Sequence, residues 1–505
     1  YYIKCEDDEA YESLTREAPK EIELPDDYTF VNKPGRHQLM DFMRFRNGEV
    51  KMWHLGYDQG TGKTFSALTI SDYIATKEGY GNTLIITGVN SVKWQWLDQI
   101  AEHTTRKGIV LGSRRGKNGK WKNTGGPEKL EDLDNGKLLA ENHYLVTNIE
   151  SLRDEKLVKK LIKMINSGRI GFCIVDESHK MKNPTAQQTK GVFKLNPPYK
   201  LTLSGTPMVN SPLDLYSTMK WLGAEEHTWT AFKNHYCMYH EYMRGRITGY
   251  RHVDELREAF GKIQTRVLKE DVLDLPEKTH QVDYIEMGVG QRKLYNDILK
   301  QTLEEIDKIE GNLNPMTLTL RLRQFNNCPD TLTSTKVGNC KLERLRERLQ
   351  EAMEAGTQVL VFSLLKDGLR RYYEELKDEF NIGLITGDVK PEDREDLKNK
   401  FKSGEIRVLL GTTGTMGTGL DIGTAELVIF IDEPWTKADK VQCEDRAHRR
   451  GITKPVNVVT FRTLDSVDEV INDIVEGKGI LSDYIVDKKP IPKEVLVKAL
   501  SGGMR

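Results

Sequence analysis

The 505-residue sequence has few cysteines and no long apolar run. Its six cysteines form no CxxC pair and show no spacing typical of a zinc site, which favours a reduced, cytosolic chain. No apolar run approaches the ~18 residues that a membrane helix needs, and no signal peptide is recognisable. These absences argue against a disulfide-stabilised secreted protein and against an integral membrane protein.

The sequence also lacks an excess of charge of either sign. Its formal net charge is -1, which neither indicates nor excludes binding to nucleic acid. The charge is unevenly distributed, because residues 1–27 carry ten acidic and three basic side chains, a net charge of -7. Since the first residue is Tyr rather than Met, we expect the chain to be processed, trimmed or part of a longer product.

Short apolar runs alternate with helical patterns on both sides of a mostly helical middle segment. Near-continuous apolar strands separated by helices are typical of parallel sheets that are covered on both faces. The predicted strands lie at 83–87, 144–147, 172–176, 200–204, 359–362, 383–386, 408–410, 427–432 and 456–460. In the middle segment, Leu294, Ile298, Thr302 and Ile306 recur every four residues, which predicts one face of a helix.

This alternation predicts an α/β protein with two parallel-sheet lobes and a helical insertion between them. The predicted segments are an acidic arm at 1–30, a first lobe at 31–222, the insertion at 223–340, a second lobe at 341–480 and a tail at 481–505. Residues 106–122 hold seven Lys or Arg residues and no acid, which predicts a basic surface loop or a solvated, partly disordered one.

A candidate phosphate-binding loop precedes a predicted helix in the first lobe. It contains Gly60, Thr61, Gly62, Lys63 and Thr64. Closely spaced glycines let backbone N–H groups surround a polyphosphate, and a helix N-terminus adds positive potential. Lys63 would reach the β- and γ-phosphates, and Thr64 would place its hydroxyl on Mg²⁺. The strict motif has Gly at position 57, where this chain has Tyr.

Two adjacent carboxylates follow the apolar run 172–175. Asp176 is predicted to hold Mg²⁺, usually through water, and Glu177 to orient and polarise the attacking water. Taken alone, the pair is also compatible with an exposed acidic turn. The stretch 204–207, Ser-Gly-Thr-Pro, follows the next predicted strand and is either a relay between the nucleotide and another surface or an ordinary turn.

Two arginines of the second lobe are candidates for contact with the nucleotide. Arg446 and Arg449 are three residues apart in a helix-compatible stretch, which would place both on one helix face. Two guanidinium groups on one face can clamp a transferring phosphoryl group, as an arginine finger does. The alternatives are a solvated basic helix and a contact to a nucleic-acid backbone. Upstream, Gly419 and Asp421 lie in a stretch that either approaches a nucleotide or nucleic acid closely or is a flexible loop.

Taken in order, the motifs of residues 34–470 resemble those of the SNF2 family of superfamily 2 helicase-type motors. The matching segments are 34–38, 58–64, 176–183, 203–210, 432–437 and 442–451. Landmarks that generic helicases lack are matched by Arg266, 275–278, 291–295, 322–324 and Pro329. Thr436 and Lys437 replace the usual Asn-Pro, and Arg450 and Ile452 replace the usual Ile and Gln. No position that carries the ATPase chemistry departs from the family pattern.

The resemblance implies two RecA-like lobes, ATP in the cleft between them and DNA across their top. It implies that Gln38 reads adenine. It also points to nucleic-acid contacts by Thr87, Thr147, Thr386, Gly387, Thr412, Thr415 and Trp435. Hydroxyls and backbone amides bind phosphates without reading bases. For the threonines the alternative is β-propensity near a strand, and for Trp435 it is buried packing.

The leading prediction is an ATP-driven and Mg²⁺-dependent DNA translocase or helicase that tracks along duplex DNA. Single-stranded DNA and RNA stay open as substrates. A nucleotide-gated DNA-binding scaffold without useful turnover is the second hypothesis, and a motor subunit of a restriction or defence complex is the third. We expect a monomeric protein in the cytosol of a bacterium or of a phage-infected cell.

Overall fold

The computed structural model describes eleven stretches of the chain, which divides into two compact units, Tyr1–Leu273 and Asp274–Arg505. The described stretches are 23–88, 92–115, 121–123, 126–208, 211–239, 247–273, 275–308, 315–335, 337–417, 422–449 and 452–475. Residues 1–22 of the predicted acidic arm, the predicted tail at 481–505, and the candidates Gly419 and Asp421 lie outside them. None of the helices in these stretches is both long and apolar enough to cross a lipid bilayer.

Unit 1 alternates strands with helices. Its strands are β1 (Met52–Tyr57), β2 (Asn82–Thr87), β3 (Gly108–Val110), β4 (Ser113–Arg115), β5 (Trp121–Asn123), β6 (Tyr144–Asn148), β7 (Ile170–Asp176), β8 (Tyr199–Leu203), β9 (Cys237–Tyr239), β10 (Ile247–Tyr250) and β11 (Gln264–Val267). Its helices are α1 (Arg36–Arg46), α2 (Lys63–Glu78), α3 (Lys93–His103), α4 (Gly126–Asp134), α5 (Gly136–Glu141), α6 (Glu155–Asn166), α7 (Gln187–Phe193), α8 (Tyr216–Trp221), α9 (Trp229–Tyr236), α10 (Val253–Gly261) and α11 (Lys269–Val272).

Seven strands of unit 1 form one sheet in the order β11-β1-β8-β7-β2-β6-β3. Every neighbouring pair in this sheet is parallel, whereas β4–β5 and β9–β10 are antiparallel hairpins. All residues of β2, β6 and β8 are buried, because helices cover both faces. This explains the near-continuous apolar runs in the sequence.

Unit 2 contains a second parallel sheet. Its strands are β12 (Lys278–Ile285), β13 (Val359–Ser363), β14 (Ile382–Ile385), β15 (Val408–Thr412), β16 (Leu427–Phe430) and β17 (Val456–Thr463). Its helices are α12 (Val289–Lys308), α13 (Pro315–Asn327), α14 (Cys340–Glu354), α15 (Lys366–Leu376), α16 (Pro391–Lys402), α17 (Thr413–Met416), α18 (Lys437–Glu444) and α19 (Val467–Val475). The strand order is β12-β17-β16-β13-β15-β14, and every pair is parallel.

The predicted α/β class with two parallel sheets is confirmed. The segment 223–340, which was predicted as one helical insertion, is different in the structure. Its β11 forms one edge of the first sheet, its β12 forms one edge of the second, and the division into units falls between them. The helix predicted from the four-residue repeat is present as α12.

The basic stretch 106–122 is only partly a loop. It contains β3, which pairs with β6 in the sheet, and both strands of the β4–β5 hairpin. Arg106 is bonded to the side chains of Asp72 and Thr76, so at least this basic residue has a structural role. The sequence did not reveal the sheet pairing, because β3 is only three residues long.

The last residues of the predicted acidic arm pack against unit 1. Asp27 pairs with Arg46 at 2.7 Å, and the hydroxyl of Tyr28 donates to Asp72 at 3.0 Å. The rings of Tyr28 and Phe30 both contact the ring of Phe42, with centroids 5.1 and 4.9 Å away. The described end of the arm is therefore attached to unit 1 by aromatic packing and by charge.

Candidate active site

The candidate nucleotide-binding residues of unit 1 lie where parallel strands end. Because the strands of a parallel sheet all end at the same edge, the segments that follow them are neighbours there. The phosphate loop, defined here as residues 58–64, follows β1, and Ser204 follows β8. Asp176 is the last residue of β7, and Thr87 is the last residue of β2. The fold therefore brings together motifs that are far apart in the sequence.

Two glycines give the phosphate loop its shape. Gly60 and Gly62 adopt φ values of 83° and 90°, in the left-handed region that favours glycine. A Cβ atom on Gly62 would lie 2.0 Å from the side-chain Nε2 of Gln38. Gly62 is also the N-cap of α2, so the loop leads directly into the positive end of a 16-residue helix.

Lys63 and Thr64 are the first two residues of α2. The Lys63 ammonium donates to the carbonyl oxygens of Tyr57 at 2.8 Å and Asp58 at 3.1 Å. It therefore lies over the loop that is predicted to hold phosphate. The buried Thr61 donates its hydroxyl to the Asp58 carbonyl at 2.8 Å, which closes the loop as a turn.

Gln38 contacts the phosphate loop directly. Its side-chain oxygen accepts from the Gly35 N–H at 2.7 Å, and its Nε2 donates to the Thr61 carbonyl at 3.2 Å. His37 lies beside the same carbonyl, with 2.9 Å between Nε2 and the oxygen. Gln38 therefore supports the loop, and its predicted contact with adenine stays a prediction.

Asp58, the first residue of the phosphate loop, is held by the segment around β11. Arg266 pairs with the Asp58 carboxylate at 2.6 Å, and the Lys269 N–H donates to the same carboxylate at 3.1 Å. Arg266 also donates to the carbonyls of Gly56 and Gly205. One guanidinium thus joins the end of β1, the phosphate loop and the turn after β8.

The acidic pair is held at the end of β7. Asp176 accepts from the indole N–H of Trp96 at 3.0 Å and from the Glu177 N–H at 2.9 Å. Burial and the neighbouring Glu177 charge raise the pKa of Asp176 to about 7, while the Lys63 charge acts in the opposite direction. Lys63 and Asp176 are therefore close enough to interact electrostatically, as a shared phosphate–magnesium site requires.

Glu177 adopts a left-handed backbone conformation, with φ at 50°, which is uncommon for a residue other than glycine. Its carboxylate lies 3.3 Å from Nδ1 of His179, and the same nitrogen lies 3.1 Å from the Ser204 hydroxyl. A Cβ atom on Gly88, after β2, would lie 2.8 Å from the Cβ of Glu177. Glu177 is thus placed by contacts from two neighbouring strand ends.

The residues present fit ATP and Mg²⁺. Left-handed glycines, a helix N-terminus and an ammonium form a cradle for phosphate. No group of three or more His, Cys, Asp and Glu residues able to hold a metal occurs in the described part of the chain. Mg²⁺ commonly takes one or two carboxylates together with phosphate oxygens and water. Asp176 and Thr64 are the candidate ligands.

Arg446 and Arg449 do not share a helix face, contrary to the prediction. Helix α18 ends at Glu444, and both arginines lie in the turns that follow. The Glu444 carbonyl accepts from the N–H groups of Ala447 and His448, both at 3.0 Å, and the Arg446 side chain donates to the Gly417 carbonyl at 3.0 Å. Residues 445–449 are called the arginine turn below. Contacts to β12 and to Gly417, which are distant in sequence, hold this shape.

The nucleic-acid candidates of unit 1 lie at adjacent strand ends. Thr87 pairs in register with Asn148, and Ile86 pairs with Thr147. Thr87 and Thr147 are buried, and the Thr147 hydroxyl has no hydrogen-bond partner among the described residues. Their predicted contacts with phosphate stay predictions.

In unit 2 the corresponding candidates lie after β14 and β15. Thr386 is buried, whereas a Cβ atom on Gly387 would meet nothing within 4 Å. Thr412 donates to the hydroxyl of Thr415 at 2.9 Å, beside α17. These small polar groups lie where the parallel strands of the unit 2 sheet end, as the candidates of unit 1 do in their own sheet.

Trp435 is half-buried against the core of unit 2. The Arg323 guanidinium lies 4.4 Å from the centroid of its ring. One face of the indole is therefore used inside the protein, which supports the packing alternative. Its predicted contact with nucleic acid stays untested.

Sequence reasoning did not predict the contacts of several residues that shape the site, although it included Ser204 in the candidate relay at 204–207. Trp96, His179 and Ser204 position the acidic pair, and the Asp58–Arg266 pair fixes the phosphate loop. Arg266 was noticed only as a family landmark, and its partner lies more than 200 residues away in the sequence. The proximity of 176–179 and 204–207 to strand ends was the one signal for the contact between His179 and Ser204.

Two family models match the chain. The SNF2-related domain matches residues 38–331, and the helicase conserved C-terminal domain matches residues 340–451. The first match alone covers more than half of the chain. The boundary between the two matches lies in the described part of unit 2, ahead of α14.

The chain is also similar to individual proteins. An uncharacterized ATP-dependent helicase of Mycoplasma pneumoniae is 26% identical over 358 residues, which cover 68% of this chain and 33% of the relative. Human chromodomain-helicase-DNA-binding protein 1 is 26% identical over 461 residues, which cover 86% of this chain and 26% of the relative. The chain thus spans about a third or less of these relatives. The Sulfolobus solfataricus SWI2/SNF2 ATPase core in complex with dsDNA matches with a TM-score of 0.41 and 21% identity, over 95% of this chain and 98% of that one.

Proposed function

The chain belongs to the SNF2-related family, and from this we propose that it is an ATP-driven DNA translocase that moves along duplex DNA. The observation that carries the proposal is the meeting of Lys63, Asp176 and Glu177 at one edge of the unit 1 sheet. A phosphate-binding ammonium and two carboxylates at this edge are the groups that ATP hydrolysis needs.

In unit 1 the phosphate loop binds the polyphosphate of ATP through backbone N–H groups and Lys63. Bound Mg²⁺ neutralises charge on the phosphates. Asp176 and Thr64 hold that ion, and Glu177 orients the attacking water and accepts its proton. The left-handed backbone of Glu177 and its neighbour His179 fix the direction of the carboxylate. Gln38 holds the loop and is adjacent to the nucleotide.

Unit 2 contributes the arginine turn. Arg446 and Arg449 stabilise negative charge that develops on the γ-phosphoryl group, as arginine fingers do. Threonines and glycine at the strand ends of both units grip DNA phosphates. Because such contacts do not read bases, the affinity for DNA depends steeply on salt and little on sequence.

Duplex tracking, rather than strand separation, is supported by the family-specific landmarks around Arg266 and 322–324. The relative of Mycoplasma pneumoniae carries the name of an ATP-dependent helicase, so unwinding is the competing activity. We expect the chain to displace a triplex-forming third strand in the presence of ATP and Mg²⁺ and to unwind tailed duplexes weakly.

The test compares ATP turnover with duplex DNA, single-stranded DNA and RNA, together with triplex displacement and duplex unwinding. The proposal predicts the strongest stimulation by duplex DNA and displacement of the third strand. ATP-dependent unwinding of long tailed duplexes without triplex displacement would identify a strand-separating helicase. DNA binding without stimulated turnover would identify a nucleotide-gated scaffold.

A further inference from the structure

Residues 266–280, called the strap below, run from β11 of unit 1 to β12 of unit 2. The strap is bonded to the phosphate loop near its beginning and to the arginine turn near its end. Each set of bonds lies within one unit, and the covalent chain joins the two sets. The two elements proposed to act on ATP are therefore attached to the same short stretch of chain.

The first anchor is Asp58 of the phosphate loop. Arg266 and the Lys269 N–H bind its two carboxylate oxygens, at 2.6 and 3.1 Å. The Asp58 N–H donates to the Val267 carbonyl at 2.9 Å. Three contacts thus fix the first residue of the phosphate loop to the strap.

The second anchor is Glu444, which precedes the arginine turn. Its carboxylate is 2% exposed and lies 2.9 Å from the Lys278 ammonium and 3.1 Å from Nε2 of His280. Burial alone would raise the pKa of Glu444, but the bonds from His280 and Lys278 lower it, so the carboxylate is charged. His448 of the turn adds a contact of 2.9 Å to the Pro276 carbonyl.

Between these anchors the strap has little packing of its own. None of the described residues in 268–273 and 275–280 is buried. Val272 packs against the core of unit 1, and the rest of the strap is positioned by the sheet pairing of β11 and β12 and by the bonds at its two ends. Only ten residues, 268–277, separate β11 from β12, so the length of the chain limits how far one anchor can move without the other.

We propose that Arg266 and Glu444 are positioning residues through which the strap links the phosphate loop to the arginine turn during ATP turnover. This inference rests on the proposed function, because it presupposes that both elements act on ATP. Neither residue needs to touch the nucleotide. Arg266 acts through Asp58, and Glu444 acts through the backbone that carries Arg446 and Arg449.

The first experiment compares Glu444→Gln with Asp283→Asn. Asp283 is a matched control, since it is also a buried carboxylate with two basic partners, but these partners, Arg344 and Arg348, lie on α14. We expect Glu444→Gln to keep KM for ATP within about twofold and to lower duplex-stimulated kcat about tenfold, because a small misplacement of catalytic groups is costly. Asp283→Asn should retain the stimulated kcat.

Thermal melting shows whether each variant is folded. If Glu444→Gln fails to fold, Lys278→Met breaks the same ion pair from its more exposed side. A double variant of both residues should lose no more stimulated kcat than either single one, since both remove one interaction. Normal stimulation in a folded Glu444→Gln variant would overturn the inference, as would an equal loss in Asp283→Asn.

The second experiment leaves the anchors intact and loosens the strap. Four Gly and Ser residues are inserted after Leu273, and the control carries the same insertion after the exposed Lys377 of unit 2. We expect a fall in duplex-stimulated kcat of about tenfold at unchanged KM for ATP in the first variant only. Arg266→Gln should lower the stimulated kcat as well, and Arg266→Lys should restore part of it. Equal activity of both insertion variants would overturn the inference, whereas a wild-type chain without duplex stimulation would instead refute the proposed function.

Discussion

In each unit an aspartate lies at or just after the end of a parallel strand, and the two aspartates have different hydrogen-bond partners. Asp176 ends β7 of unit 1 and accepts two hydrogen bonds, from Trp96 and from the Glu177 N–H. Asp432 follows β16 of unit 2 and accepts three, from Asn327, Ser363 and the Leu364 N–H, at 2.8 to 2.9 Å. An acid at the end of a parallel strand is thus not by itself a catalytic signal.

Unit 2 surrounds its strand-end acids with buried cations. Lys341 is fully buried and donates to the Ile431 carbonyl at 2.8 Å and to Asp468 at 2.7 Å. Arg323 is buried as well and donates to the Glu433 carbonyl. These contacts and those of Asp432 stabilise the core of unit 2, and we assign the proposed chemistry of unit 2 to the arginine turn.

The largest expected effect tests that assignment. Arg449→Ala should lower DNA-stimulated turnover about 10³-fold or more if the side chain acts as an arginine finger, while nucleotide binding by unit 1 changes much less. Steady-state ATPase assays and nucleotide titrations measure the two quantities. Arg370→Ala is the control, because Arg370 is an exposed arginine of the same unit that pairs with Asp388. Unchanged turnover in both Arg446→Ala and Arg449→Ala would make the turn a plain basic surface.

The second prediction compares Glu177, the neighbour of Asp176 in unit 1, with Asp432 of unit 2. Glu177→Gln should bind ATP normally and lose turnover by at least about 10²-fold, because it removes the group that orients water and takes its proton. Asp432→Asn should lower the free energy of unfolding by about 1–3 kcal/mol and keep turnover per folded molecule. Denaturant unfolding and ATPase assays separate these outcomes. A loss of turnover in Asp432→Asn without a loss of stability would contradict the structural role that we give to Asp432.

The smallest expected effect concerns DNA. Thr147→Val removes a buried hydroxyl that has no partner among the described residues, so stability should stay equal or rise. If that hydroxyl binds a DNA phosphate, duplex affinity at low salt should fall about tenfold. Ser217→Ala is the control, because Ser217 carries a similar buried hydroxyl on α8 and is not one of the predicted nucleic-acid contacts. Equal affinity of both variants would leave Thr147 a purely structural residue.

Local patterns in the sequence predicted the phosphate loop and the acidic pair, since the loop is one short segment before a predicted helix and the pair follows a predicted strand. They failed for the arginine turn, where α18 ends at Glu444 and where Glu444 and His448 contact residues 276–280, which are distant in the sequence. The Asp58–Arg266 pair could not be predicted either, because its two residues are distant in the sequence. Spacing along the chain carries no information about partners that only the fold brings together.

Two of the edge strands, β11 and β12, show a similar limit of prediction from the sequence. β11 is only four residues long, three of them polar, and β12 alternates polar with apolar residues over part of its length. Neither has the continuous apolar run that identified most of the other strands, and several residues of both are only partly buried. The prediction of a helical insertion at 223–340 therefore missed one strand of each sheet.

The position of β11 has a practical consequence for producing the first unit alone. β11 pairs with β1 from His54 to Tyr57, and five of the six β1 residues are buried. A fragment that stops at residue 222 would leave the N–H and C=O groups of β1 without their neighbour, and such an open, apolar edge recruits strands from other molecules. A fragment that continues to residue 273 keeps β11 in place. The better cloning boundary for the first unit is thus after α11, some fifty residues beyond residue 222, the predicted end of that lobe.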